Sequence, residues 1–169
     1  MTRKKLGILK SKKGYIFDVL TIVVFLFVVG IVILGMYHVM SSVNTQFAAN
    51  PSIATDSKTI LSNYTTNYIK LYDGLFLALL VALTLGAVVS AFFIDTHPVL
   101  LPFMLILIAI FIFVSAGLAN AFYHVESQSM FSSFAESFVG MHFVMNHLAY
   151  YAMITGIAIV IALFAKANQ

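Results

Sequence analysis

The chain has 169 residues, of which 62% are hydrophobic and only 9% charged, with a formal net charge of +3 and a mean hydropathy of +1.02. Soluble domains average about 45–50% apolar and about 25% charged residues, so this composition excludes a water-soluble globular protein and predicts an integral membrane protein. The absence of cysteine excludes disulfides, thiolate metal sites and dithiol–quinone chemistry, and the absence of tryptophan leaves tyrosine and phenylalanine to form any interfacial belt.

Residues 1–18 carry Arg3, Lys4, Lys5, Lys10, Lys12 and Lys13, six of the nine basic residues. A basic segment before an apolar run fits either a secretory signal or the flank of a first membrane span. The run 19–40 is longer than a usual signal core, and no small-residue cleavage site follows it, so an uncleaved first span is expected. The lysines then hold the N-terminus inside, and the same charges suit contact with anionic lipid or nucleic acid.

Residues 41–72 form an outer loop rich in Ser, Thr and Asn, with a turn at Asn50-Pro51. Within it Ile60, Leu61, Tyr64, Tyr68 and Leu71 recur at helical spacing, which predicts an amphipathic helix on the membrane surface, either separate from the second span or continuous with it. The second span, 73–95, opens at Asp73, read as a helix cap, and contains no ionisable side chain from Gly74 to Ile94. Along it Ala78, Ala82, Gly86 and Ser90 repeat every fourth residue, a groove expected to serve as a packing seam for a neighbouring helix or a second copy.

Asp95, Thr96 and Pro98 mark a tight turn over 96–98 that makes spans two and three antiparallel neighbours. The third span is 99–122. Residues 123–147 form a second outer loop, where Met130, Phe131, Phe134, Phe138 and Met141 predict another interfacial helix. The fourth span, 148–165, carries Ala152 and Gly156 at seam spacing, and 166–169 is a short tail. With Lys166, seven basic residues fall on one side, so both termini are expected inside. The fold class is therefore all-α: a polytopic membrane protein with four transmembrane helices and two amphipathic helices in the outer loops. Tyr37-His38-Val39 recurs as Tyr123-His124-Val125 at the outer ends of spans one and three, the pattern a duplicated hairpin would leave.

Chemistry is sparse. His38, His124, His142 and His147 lie toward the outer side, and facing histidines can ligate haem iron or a transition metal. None of them is at the centre of a span, where an ionisable group signals function, so interfacial polar residues are the stronger reading. Phosphate loops, nucleophile elbows and zinc-protease motifs are absent from the sequence, and no enzyme activity or cofactor is expected.

Phe17-Asp18-Val19-Leu20, Tyr72-Asp73-Gly74 and the stretch Ala91-Phe92-Phe93-Ile94-Asp95-Thr96-His97-Pro98 carry a family resemblance. In them the chain resembles small multi-span proteins encoded beside capsid genes in tailless icosahedral viruses with an internal membrane. The resemblance implies a structural role in a virion membrane, with capsid proteins, other membrane proteins or packaged genome as partners. A haem- or metal-binding electron-transfer subunit using the outer histidines is the alternative expectation, and a channel-forming protein a weaker third.

Overall fold

The computed structural model describes residues 15–92 and 101–167, with side-chain environments over 20–91 and 102–165. The basic flank Arg3, Lys4, Lys5, Lys10, Lys12 and Lys13 and the turn residues Asp95, Thr96 and Pro98 lie outside the described residues. Helix is the only regular structure among those described: α1 (Tyr15–Ala49), α2 (Thr55–Phe92), α3 (Leu101–Glu126), α4 (Val139–Asn146) and α5 (Leu148–Ala167), with one 3-10 turn at Ala135–Ser137. Four of these, α1, α2, α3 and α5, are long and apolar enough to cross a membrane.

In the first outer segment the helix over 60–71 is continuous with the second span rather than separate from it, and less of the segment is loop than expected. α1 runs on unbroken to Ala49 and α2 begins at Thr55, so the helices have 35 and 38 residues. The Asn50 side chain accepts from Ser52 N at 2.9 Å, and Lys58 Nζ donates to Ala48 O at 3.0 Å, covering a carbonyl at the end of α1. So tight a turn fixes the register of the hairpin. Tyr68 OH reaches Ile33 O at 3.5 Å, and the Tyr37 and Tyr68 rings lie 5.8 Å apart. The expected amphipathic face is split by this pairing. Tyr68 is buried against α1, while Ile60, Tyr64 and Leu71 are exposed.

Two clusters of buried residues make the core. One gathers Leu26, Ile33 and Leu34 of α1, Tyr68 and Phe76 of α2 and Phe122 of α3 around Phe134, Phe138, Met141 and Met145. The other joins Val23, Ala87, Ala91 and Phe111 to Leu148, Ala152, Ile159, Ala162 and Leu163 of α5. The second outer segment therefore points its apolar side inward. Phe138 and Met141, expected on a membrane surface, are completely buried, and α4 touches all four long helices.

The two small-residue seams fare differently. Ala152 and Gly156 are buried, and a β-carbon on Gly156 would lie 2.9 Å from Ile108 Cγ2 of α3, so close helix packing does occur there. Ala78, Ala82, Gly86 and Ser90 are all exposed, and nothing lies within 4 Å of a β-carbon placed on Gly86. The ladder is not the seam that centres α2 within its own chain. Its neighbours instead meet the face bearing Tyr68, Phe76, Ala87 and Ala91.

One level across the bundle positions everything that follows. A β-carbon on Gly30 would sit 3.4 Å from Met145 Cε, 3.6 Å from Met141 Sδ and 3.6 Å from Phe122 Cε2. Met141 N in turn donates to Asp73 at 2.7 Å, so α1, α2, α3 and α4 meet near Gly30. On one side of this level, 74–92 of α2, 102–122 of α3 and 148–165 of α5 contain no ionisable group but tyrosine. On the other side lie His38, Asp56, Lys58, Lys70, His124, Glu126 and Glu136.

Candidate functional site

The side chains that carry charge and hydrogen bonds converge on α4. Asp73 was expected to cap the start of the second span. The structure places it inside α2, where it caps a different helix. Its Oδ2 accepts from Gly140 N at 2.9 Å and its Oδ1 from Met141 N at 2.7 Å, satisfying two first-turn donors of α4. Gly140 permits this approach, because a β-carbon there would fall 2.5 Å from Leu77 Cδ1.

Glu126, at the end of α3, is only 6% exposed. Its Oε2 accepts from His142 Nδ1 at 2.9 Å and its Oε1 from Asn146 Nδ2 at 2.9 Å. Residues four apart on α4 thus grip one carboxylate from a single helix face. These groups line a cleft of about 500 Å³ with Tyr123, Ser127, Ser132, Ala135 and Glu136. With Nδ1 engaged, His142 keeps Nε2 as its free nitrogen. A buried carboxylate orienting an imidazole is half of a general-base arrangement. The other half is not assembled among the described residues: no serine or tyrosine hydroxyl bonds to His142, and Ser127 Oγ donates to His124 O at 3.1 Å instead.

The remaining expected histidines are dispersed. His38 lies beside the rings of Phe131 and Phe134, at centroid distances of 6.0 and 6.1 Å. His124 is exposed next to Tyr123. His147 is exposed and stacks on Phe143 at 4.6 Å. No group of three or more His, Asp and Glu side chains with metal-holding geometry occurs among the described residues. The two Tyr-His-Val segments also differ in setting, since Tyr37 packs on Phe134 and Phe138 whereas Tyr123 is exposed.

Deeper in the bundle, polar groups are few and locally satisfied. Ser115 Oγ donates to Phe111 O at 2.8 Å, and Thr84 Oγ1 donates to Leu80 O at 2.7 Å. With its proton so placed, Thr84 accepts from the Tyr151 hydroxyl and links α2 to α5. Every buried side-chain nitrogen and oxygen among the described residues has a partner. Of these hydroxyl bonds, Thr84–Tyr151 crosses between helices, and the other two each lie within one helix.

The Asp73 cap and the Glu126–His142 pair were missed by sequence reading. Their partners lie 67 and 16 residues away, beyond the reach of any periodicity. The available signal was weak: an Asp-Gly inside a helical run, and a glutamate among interfacial histidines. Comparison with protein-family models, with curated proteins and with solved structures gives no match.

Proposed function

We propose that this chain is a non-enzymatic membrane scaffold: a four-helix anchor carrying a helical arm that meets partner proteins outside the bilayer. The observation that carries it is the single level at Gly30 and Asp73. Beyond it, charge-free stretches of α2, α3 and α5 fit a hydrocarbon layer of about 30 Å. On the other side, about 19 residues each of α1 and α2 continue as a paired hairpin, roughly 28 Å long. The hairpin exposes Met36, Val39, Val43 and Phe47 on α1 and Ile60, Tyr64 and Leu71 on α2. Apolar side chains held away from both core and lipid are the natural contact surface for another protein. The resemblance to virion membrane proteins suggests capsid proteins, other membrane proteins or further copies of this chain as the occupants.

A photo-crosslinking residue at Val39 or Tyr64, in the native membrane, tests this. Discrete protein adducts from both positions, with none from Val81 at the lipid-facing depth, are expected. Lipid adducts alone from Val39 and Tyr64 would contradict it. The electron-transfer alternative predicts a visible absorption band lost in His38→Ala or His124→Ala; the separate settings of those rings give it no support.

A further inference from the structure

We propose that α4 is an acid-released plug over the outer end of the bundle, latched by Asp73 and Glu126. The four bonds that tie α4 to the long helices through side-chain acceptors all end on these two carboxylates: Gly140 N and Met141 N on Asp73, His142 Nδ1 and Asn146 Nδ2 on Glu126. They come from different helices and hold the start and the end of α4 separately. Neither carboxylate is paired with a lysine or arginine among the described residues. Each oxygen faces an N–H donor. An ionised carboxylate can serve both donors it faces, but a protonated one turns an O–H toward one of them, leaving a buried donor unmatched.

Beneath the latch, Phe138, Met141 and Met145 are completely buried, and Phe134 nearly so. The helix is bounded by a non-helical residue on each side. His147 leaves helical geometry at φ −110° and ψ 22°, and Phe138 does so at φ −86° and ψ 68°. Release would swing an apolar face into contact with the membrane surface at the level where the charge-free stretches end.

The surrounding titratable groups shape the response. Lys70 and Tyr72 flank Asp73 on α2, and Tyr37 comes from α1 through the aromatic cluster. Glu126 is faced by His142 from α4 and shares its cleft with Glu136 of the 3-10 turn and Tyr123 of α3, and His124 precedes it by two residues on α3. Imidazoles in general take up protons before carboxylic acids do. A second proton on His142 makes it a cation against Glu126, which tightens the latch rather than opening it. Both oxygens of each carboxylate are used as acceptors, which the ionised form allows and a protonated one does not. Neutralising Glu136 removes repulsion within the cleft and acts against release, so opening requires Asp73 and Glu126 themselves to be neutralised.

The chain contains no tryptophan or cysteine, so single reporters stand alone. Phe138→Trp, reconstituted in vesicles, should be shielded from acrylamide at neutral pH. Its quenching should rise several-fold at about pH 3, where carboxylic acids in general are largely protonated, with helix content by circular dichroism retained. In a second background, Met145→Cys with Asp73→Asn and Glu126→Gln should be labelled by a maleimide several-fold faster at neutral pH than Met145→Cys alone. Unchanged quenching in acid, equal labelling in the two backgrounds, or exposure only together with loss of helix content would each overturn the plug.

Discussion

Glycines in this chain divide into those that are needed and those that are not, and their neighbours decide which. Gly140 has Leu77 where its β-carbon would go, at 2.5 Å, whereas Gly86 has open space. Gly140→Ala should destabilise the protein by about 1–3 kcal/mol through overpacking. Gly86→Ala should be neutral or stabilising by up to about 1 kcal/mol, since alanine is the better helix former. Thermal unfolding in detergent separates the two. Asp73→Ala removes an acceptor from two backbone donors at 2.9 and 2.7 Å and should cost about 1–3 kcal/mol in the same assay. The sequence announced Asp73 as a cap but not whose cap it is. Likewise small residues four apart are visible in both α2 and α5, but only Ala152 and Gly156 face a neighbour. Spacing shows that a face is narrow; it does not show what stands opposite.

Helix existence was legible because it follows from local runs of apolar residues, and four helices long and apolar enough to cross a membrane are present. The full extent of α1 and α2 was not, because polar residues 41–54 read as a loop when each arm of the hairpin is taken alone. Pairing supplies what the local signal lacks: Tyr68 finds cover on α1, Tyr72 stacks against Tyr68, and the Asn50 turn closes the pair. The proposed arm also bears on where the first span ends. The apolar run through Met40 suggests that α1 stays in lipid that far, whereas its outer part is paired with the polar start of α2 through Tyr68 and Lys58. Met36, about half exposed, distinguishes the readings. If the outer part of α1 belongs to an arm in water, Met36→Asp should change stability by no more than about 0.5 kcal/mol, as for other exposed sites. If it lies in hydrocarbon, the penalty approaches the roughly 2.5–3.5 kcal/mol seen for aspartate in a span. Chemical denaturation in a bilayer mimetic reads the difference.

At the scale of the whole molecule, the four long helices form a bundle that one short helix, α4, touches throughout, and the α1–α2 hairpin is closed at Asn50. Two apolar clusters hold the bundle, and the carboxylates of Asp73 and Glu126 hold α4 against it. Nothing in this division was readable from composition, which settles the solvent and leaves the connections open. The most direct measurement is a vesicle-labelling experiment with an impermeant thiol reagent on single cysteines at Met36, Ile60, Ser132, Val81 and Ala167. The account predicts that 36, 60 and 132 are labelled from one face, 167 only from the opposite face, and 81 from neither. Protection of 36 alongside 81 would place the arm inside the bilayer, and labelling of 60 and 167 from the same face would contradict the four-helix anchor itself.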